Sequence, residues 1–227
     1  MNEHNQTKES QYQIQFDTLQ DKGPVQMGPS VSHTWRSDPR RLTFFLSRYK
    51  FCSKMLAGKS RVLEIGCSDG FGVRVLLQTV DFVHGVDFDP LYVEAATQHA
   101  QAEALNCTFS VVDITKKAPE GRYDAAYSLD MIEHLEPETE YIYWKNVCSV
   151  LEPNAIFIVG TPNITASPYA SKWSEEGHIN LKSADTLRTA MEEYFHNVFI
   201  FSMNDEVVHT GYYPMSHYLI AMGVGLR

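Results

Sequence analysis

Three polar side chains in the segment 130–134, DMIEH, are of the types and spacing that could move a proton or bind a metal ion. Asp130, Glu133 and His134 would share one face if a helix begins here. One interpretation makes His134 a general base, because an imidazole titrates near neutral pH. A second has the two carboxylates and the imidazole bind a divalent cation that acidifies a substrate hydroxyl. A third gives the carboxylates only a structural role at the positive end of a helix.

The stretch RVLEIGCSDGFG, residues 61–72, ends a short apolar run in a glycine-rich turn. Its glycines, Gly66, Gly70 and Gly72, do not have the spacing of the GxGxxG dinucleotide fingerprint or of a phosphate-binding loop. Between Gly66 and Gly72 there is an acid, Asp69, and no basic residue, which disfavours a pyrophosphate. A ligand without phosphates is therefore expected here, unless the glycines serve only a tight turn.

Carboxylates also end the next two predicted strands. Asp87 can accept hydrogen bonds from both hydroxyls of a ribose. Asp113 can accept one from an adenine amino group, or it can cap a turn instead. Ribose and adenine without a pyrophosphate indicate S-adenosylmethionine.

The scaffold for these residues is predicted from strands that alternate with helices. The predicted strands are RVLEI, FVHGVDF, CTFSVVD, YDAAYSL, NAIFIVGTP, NVFIFSM and HYLIAMG. The first predicted helix begins at Pro39, with Asp38 as its N-cap, and ends at Gly58. The second covers FGVRVLLQTV, and the third begins after Asp89, which is its N-cap. The last two cover ETEYIYWKNVCSVL and SADTLRTAMEEYF. Such βαβ units imply a parallel sheet, but the connection between the last two strands is too short for a crossover helix.

The predicted fold class is therefore α/β: a doubly wound, seven-stranded, mostly parallel sheet with an antiparallel last strand. Residues 1–37 are polar and punctuated by glycine and proline, and we predict a flexible or lid-like segment there. Residues 38–227 form the single predicted domain.

Four motifs carry a resemblance to a known family: VLEIGCSDG, GVDFDP, VVDI and YDAAYSLDMIEHL. In this order they resemble the class I S-adenosylmethionine-dependent methyltransferases, which have a Rossmann-like fold, and the resemblance covers roughly residues 38–223. The sequence is most similar to the ubiquinone-biosynthesis O-methyltransferase branch, through DPRRL, the carboxylate-x-x-Glu-His pattern and a GTPN turn.

The resemblance implies roles for individual residues. Arg41 would pair with the methionine carboxylate of the cofactor, and Gly66 would let the backbone approach it. Asp87 would hold the ribose. The other residues of the predicted cofactor site are Glu64, Cys67, Gly70, Phe88, Asp113, Ile114 and Leu129, with Asp113 and Ile114 at the adenine.

The same branch binds magnesium through a Glu/Glu/His cluster. That resemblance implies Mg²⁺ or another divalent cation at Asp130, Glu133 and His134, with His178 as a further ligand. Asp130 has a shorter side chain than the glutamate it replaces.

The substrate is expected to contact two further segments. The loop NDEVVHTGYYPMSHY follows the sixth predicted strand, and His209, Tyr212 and Tyr213 are its candidate substrate contacts, unless the tyrosines only cover the sheet edge. Trp35 could stack on substrate or cofactor, or pack on the first helix.

Composition narrows the function further. The chain has 227 residues, 44% hydrophobic, and a net charge of -9, which argues against a nucleic-acid partner. The basic segment 36–50 is predicted to be an amphipathic helix with a solvated basic face, and contact with RNA or anionic lipid is the alternative. The four cysteines stand singly, and the sequence has no signal-peptide or membrane-span pattern, so a cytoplasmic protein is expected.

The predicted activity is methyl transfer from S-adenosylmethionine to a hydroxyl, less favourably an amine, of a small polar metabolite such as a sugar. One alternative is an RNA methyltransferase, because the carboxylate-x-x-Glu-His pattern is also similar to that of small-RNA terminal 2'-O-methyltransferases. Another is a non-catalytic cofactor-binding scaffold. The oligomeric state is left open.

Overall fold

The computed structural model describes residues 6–227, apart from the side chain of Trp173. Residues 1–5, part of the predicted lead-in, lie outside the described residues. The helices of the described part are α1 (Gln13–Lys22), α2 (Pro29–Ser37), α3 (Arg41–Met55), α4 (Val73–Leu76), α5 (Pro90–Ala102), α6 (Glu140–Ser149), α7 (Lys172–Gly177) and α8 (Ala184–Glu192). The strands are β1 (Val62–Ile65), β2 (Val83–Asp87), β3 (Cys107–Val111), β4 (Tyr123–Leu129), β5 (Leu151–Pro162), β6 (Phe195–Asn204), β7 (Val207–His209) and β8 (Tyr218–Leu226).

The strands form one sheet in the order β3-β2-β1-β4-β5-β8-β6-β7. Strands β1 to β5 pair in parallel, and β8 runs antiparallel between β5 and β6. The predicted fold class, a mostly parallel sheet with an antiparallel last strand, is confirmed. In this topology β1 and β4 are parallel neighbours at the point where the strand order reverses, so the turns that follow them meet at one edge of the sheet.

The sheet has eight strands in place of the seven predicted. The extra strand, β7, lies in the segment that was predicted as a polar loop, and it pairs antiparallel with the end of β6. Asp205 makes the turn between them possible, since it adopts a left-handed conformation with φ of 49°.

Two apolar clusters bury the two faces of the sheet. One contains Leu63, Trp144 and Phe157, and the other contains Val62, Tyr127 and Ile158. Neighbouring residues of β1 thus serve opposite faces, as the period of a strand requires. Every residue of β1 is buried, which explains its nearly continuous apolar sequence.

The N-terminal part differs from the sequence prediction. The segment predicted as a lid-like lead-in contains α1 and α2, and its role as a lid stays a prediction. The prediction that Asp38 caps the third helix was wrong: α3 begins at Arg41, and the extended backbone of Asp38 ends α2. Pro39 explains the end of α2 at Asp38, because a residue before proline is disfavoured in the helical conformation.

Helix boundaries elsewhere followed local capping chemistry. Asp89 caps α5 by accepting a hydrogen bond from Leu91 N at 2.9 Å, as predicted. Ser183 and Thr186 form a capping box at the start of α8. The predicted helix over FGVRVLLQTV is reduced to the four residues of α4, and α3 ends at Met55, before Gly58. No helix within residues 6–227 is long and apolar enough to span a bilayer.

Candidate active site

A cavity of about 470 Å³ lies at the carboxyl ends of β1 and β2 and beside the segment that follows β3. Five residues of the predicted cofactor site line it: Gly66, Asp87, Phe88, Asp113 and Ile114. Gly66 has a φ of 75°, and a Cβ there would lie 2.9 Å from the side chain of Met131. The position therefore needs glycine for its conformation and for space.

Backbone amides hold the Asp87 carboxylate in place. Its Oδ2 accepts a hydrogen bond from Ser68 N at 2.9 Å, and its Oδ1 accepts one from Asp89 N at 3.1 Å. Each carboxylate oxygen has a second lone pair, so both can still accept a hydroxyl. Asp87 is thus fixed and faces the cavity with acceptor capacity for a diol.

Asp113 both lines the cavity and caps a turn, so the two predicted alternatives occur together. Its Oδ1 accepts hydrogen bonds from Thr115 N at 3.0 Å and from Thr115 Oγ1 at 2.6 Å. Lys116 lies 2.7 Å from Oδ2. The hydrogen bond from Lys116 is the largest of the effects that hold the pKa of Asp113 below its usual value, so this carboxylate is an acceptor at neutral pH.

Glu64 lies beneath the glycine turn, inside β1. It is 2% exposed, and its Oε1 accepts a hydrogen bond from the Tyr49 hydroxyl at 3.1 Å. Burial raises the pKa of this carboxyl to about 8. Glu64 therefore supports the turn from below and is not among the residues that line the cavity.

Cys67, Gly70 and Leu129, also predicted at the cofactor site, lie behind the cavity wall. Cys67 is buried, and burial raises the pKa of its thiol. A Cβ on Gly70 would lie 2.7 Å from the Phe109 ring, so this glycine lets the turn pack on the sheet. Leu129 belongs to an apolar cluster of the core.

A second cavity, of about 740 Å³, adjoins the first. It lies between α3 and the segment 162–178, and Asp130 and His134 line both cavities. Arg41 and His178 line the second cavity, as does Glu133. The acid and histidine residues predicted to carry the chemistry therefore stand where the two cavities meet.

Asp130 does not group with Glu133 and His134, because its backbone is not helical. No helix begins here, since Ile132–His134 form only a 3₁₀ turn and Asp130 itself has a φ of 53°. Its carboxylate pairs with Arg48 at 2.5 Å. The expectation of one helical face for Asp130, Glu133 and His134 was wrong.

Glu133, His134 and His178 form a compact donor cluster, with one candidate ligand atom from each within 4.8 Å of the others. Glu133 is fully buried, and burial raises its pKa to about 8. Its Oε2 accepts a hydrogen bond from Thr161 at 2.9 Å, whereas Oε1 has no partner among the described residues. An unpartnered buried oxygen is costly unless a proton or a ligand satisfies it.

The two histidines complete this cluster. His134 Nδ1 lies 2.8 Å from the carbonyl oxygen of Gly177, and a carbonyl can only accept, so Nδ1 donates and the neutral ring has its lone pair on Nε2. The ring of His178 lies 5.0 Å from that of His134. Burial is the main reason that the pKa of His178 is lowered, which keeps its imidazole neutral near pH 7.

Comparison with known proteins agrees with the fold and with these sequence motifs. The methyltransferase domain family matches residues 62–154. A probable S-adenosylmethionine-dependent methyltransferase of Mycolicibacterium smegmatis is 30% identical over 122 residues, which are 53% of this chain and 45% of that protein. A ubiquinone biosynthesis O-methyltransferase of Rickettsia felis is 24% identical over 164 residues, 66% of this chain and 64% of that protein.

The domain match, the relatives and the fold together support a class I S-adenosylmethionine-dependent methyltransferase. Solved structures show the same fold. The N-methyltransferase NodS of Bradyrhizobium japonicum, in complex with S-adenosylhomocysteine, has a TM-score of 0.60 at 19% identity, covering 84% of this chain and 91% of NodS. The methyltransferase domain of bacterial CtHen1-C has a TM-score of 0.65 at 18% identity, covering 80% and 99%. The sequence matches span about half the length of the curated relatives, so the activity and the acceptor of this chain stay proposals.

Three residues of the candidate site were not predicted from the sequence. Arg48, in the basic segment that was predicted to have a solvated face, is 7% exposed, and its guanidinium carbon lies 3.7 Å from the centre of the Tyr218 ring. His217, which directly precedes β8, lines the second cavity. Thr161 is the last residue but one of β5, and its hydroxyl donates to Glu133. Only Thr161 has a sequence signal, the polar residue at the end of an apolar strand.

The predicted substrate contacts lie elsewhere. Trp35 is 55% exposed on α2. His209 stabilises the β6–β7 hairpin by donating from Nε2 to Asn204 and accepting from Gly211 N, both at 2.9 Å. Tyr212 is exposed, and Tyr213 packs against the core. Among the described residues that line the two cavities, none of these four occurs, and their contact with a substrate stays a prediction.

Proposed function

We propose that this chain transfers a methyl group from S-adenosylmethionine to a hydroxyl oxygen, less favourably to an amine, of a small polar acceptor. The observation that carries the proposal is the junction of two cavities at Asp130 and His134. When bound, S-adenosylmethionine would supply a methyl group on a cationic sulfur. An oxygen nucleophile can attack the methyl carbon in line with the sulfur, which leaves as the thioether of S-adenosylhomocysteine. The residues of the junction then need only align the acceptor and take up its proton.

The first cavity fits the nucleoside part of such a cofactor. Asp87 would accept the ribose hydroxyls, and Asp113 with Ile114 would contact the adenine. Gly66 leaves open the space that a Cβ would fill, so the backbone of the turn can approach a ligand closely. These residues would bind and orient the cofactor, and the proposed mechanism requires no proton transfer by any of them.

Glu133, His134 and His178 fit a divalent cation. The unpartnered Oε1 of Glu133 and the free Nε2 of His134 offer lone pairs, and the hydrogen bond to Gly177 fixes the His134 ring as outer-shell partners do at metal sites. When bound, the cation would lower the pKa of a hydroxyl that it coordinates. Two imidazoles with one carboxylate suit Mn²⁺, Fe²⁺ or Zn²⁺ better than Mg²⁺, which prefers oxygen ligands. Asp130 stands outside this set because Arg48 occupies its carboxylate.

Without a cation, His134 alone would serve as the base, with Nε2 accepting the proton and the Gly177 carbonyl stabilising the charged ring. The two mechanisms share the geometry and differ in their response to chelation.

The test begins with calorimetry of S-adenosylhomocysteine binding to the wild-type chain, and absence of binding would contradict the proposal. A panel of sugars, phenols, amines and one short oligoribonucleotide is then assayed for release of S-adenosylhomocysteine after exhaustive chelation and after addition of Mg²⁺, Mn²⁺ or Zn²⁺. Recovery by Mn²⁺ or Zn²⁺ that is lost in Glu133→Gln and His178→Ala supports the cation mechanism. Full turnover in chelator leaves His134 as the base, and turnover on the oligoribonucleotide alone would revive the RNA alternative.

A cytoplasmic location stays a prediction.

A further inference from the structure

The second cavity contains an arginine whose charge is not neutralised by a neighbour. Arg41 lies at the start of α3 and lines this cavity, and among residues 6–227 no ion pair involves it. The chain as a whole carries a net charge of -9. Other basic residues of the described part, Arg36 among them, also have no ion pair, so what distinguishes Arg41 is its place in the lining of this cavity.

The carboxylates around the cavity are already neutralised by other arginines. Asp38 forms a two-point contact with Arg40, at 2.9 and 3.0 Å. Asp130 pairs with Arg48 at 2.5 Å. Both acids line the cavity and form their ion pairs with other arginines, so Arg41 acts on Asp38 only through its charge and not through an ion pair. Glu133, the third acid, is fully buried.

Arg41 shares its cavity with the candidate centre. It lines the second cavity together with Glu133, His134 and His178, and it is absent from the lining of the first cavity. Its guanidinium carbon lies 5.8 Å from the centre of the Phe45 ring, one helical turn along α3. A ring behind a guanidinium orients the planar fork, which matches a carboxylate or a phosphate.

We infer that Arg41 binds an anionic group of the methyl acceptor, so that the acceptor is a hydroxylated carboxylate or phosphate compound. This inference rests on the proposed function, because it takes the second cavity as the acceptor site. It replaces the role implied by the family resemblance, in which Arg41 pairs with the methionine carboxylate. The hydroxyl to be methylated would then lie toward Glu133, His134 and His178, with its negative group anchored at Arg41.

The test separates the acceptor from the cofactor by measuring two affinities in the same variants. Calorimetry gives the Kd of S-adenosylhomocysteine for the wild type, for Arg41→Met and for the control Arg36→Met, which removes an exposed arginine of α2. The same proteins, saturated with S-adenosylhomocysteine, are then titrated with 4-hydroxybenzoate, phenyl phosphate and the neutral 4-hydroxybenzamide. Two-dimensional NMR of the protein follows these weak ligands.

We expect the anionic probes to bind the wild type and Arg36→Met equally, and Arg41→Met to weaken them about tenfold, with an unchanged Kd for S-adenosylhomocysteine. The stronger of the two anions identifies carboxylate or phosphate as the preferred group. Three results would overturn the inference: an amide that binds as well as the carboxylate, the absence of binding by both anions, or a large loss of S-adenosylhomocysteine affinity in Arg41→Met. Failure of the proposed function is a separate result, since then the wild type itself does not bind S-adenosylhomocysteine.

Discussion

The buried carboxyl of Glu64, beneath the glycine turn, makes the stability of the protein depend on pH. Burial raises the pKa of this carboxyl to about 8 from an ordinary 4.5, so the folded state retains a proton that the unfolded chain releases. Stability therefore falls as pH rises through this window. A single such group lowers the unfolding free energy by about 2 kcal/mol between about pH 6 and about pH 8. We expect Glu64→Gln, measured by denaturant titration at several pH values, to reduce this fall by that amount.

Glu94→Gln is the control for this measurement, because Glu94 is exposed on α5. Its stability profile should follow that of the wild type. A Glu64→Gln profile with an unchanged slope would mean that Glu64 is ionised in the folded protein, and the site would then hold a buried negative charge beneath Gly66. Glu133 adds a second contribution of the same sign, so the variant should keep part of the pH dependence.

The Arg48–Asp130 pair forms part of the wall between the two cavities. Arg48 is buried over the Tyr218 ring, whereas the Asp130 side chain is 36% exposed, so solvent weakens the pair. We expect Arg48→Met to lower the unfolding free energy by about 2 kcal/mol. A double-mutant cycle with Asp130→Asn should give a coupling energy of about 1 kcal/mol. Coupling near zero would show that Arg48 acts through its packing on Tyr218 and not through Asp130.

At the scale of elements, α2 is attached to the glycine turn by one carboxylate. Asp69 is 3% exposed, and its Oδ2 accepts a hydrogen bond from Val31 N at 3.0 Å, in the first turn of α2. Gly28 allows this approach, since a Cβ there would lie 2.4 Å from the same oxygen. A carboxylate from another element thus replaces the missing N-cap side chain of this helix.

We expect Asp69→Ala to release the start of α2 and to reduce stability by about 1 kcal/mol. Hydrogen exchange should then be faster at the amides of residues 31–37. Asp69→Asn, which keeps an acceptor oxygen, should show a smaller effect, and Asp81→Ala, at an exposed aspartate, none. If the exchange of α2 is unchanged in Asp69→Ala, its packing on α3 holds it in place.

The parts of the site that follow strand ends could be predicted from the sequence. Asp87 and Asp113 lie where two parallel strands end, and the backbone alone brings such positions to one edge of the sheet. The Arg48–Asp130 contact could not be predicted, because it joins residues 82 positions apart through tertiary packing. Likewise, the left-handed backbone of Asp130 breaks the helical spacing that the sequence pattern suggested. The spacing of apolar residues and the acids at strand ends were thus enough to predict the fold and the edge of the sheet that carries the first cavity. The second cavity could not be predicted in this way, because it is assembled from segments that are distant in the sequence.

For the whole molecule, the first cavity couples ligand binding to global stability. It takes residues from the ends of β1 and β2, from the segment after β3 and from the turn after β4, so a ligand there contacts much of one edge of the sheet. A ligand that binds only the folded state at about 100 times its Kd adds about 2.7 kcal/mol to the unfolding free energy. For a chain of this size that corresponds to a rise in Tm of roughly 5–10 °C.

We therefore expect S-adenosylhomocysteine, at a concentration saturating by calorimetry, to raise the Tm of the wild type by roughly 5–10 °C in differential scanning calorimetry. Asp87→Ala should lose most of this rise, because it removes the acceptors for the ribose diol. Trp35→Ala, outside the lining of both cavities, serves as the control and should keep the full rise. A full rise in Asp87→Ala would place the nucleoside away from the end of β2. The first cavity would then no longer be assigned to the cofactor. The assignment of the second cavity to the acceptor would be lost with it, because the two cavities share one wall at Asp130 and His134.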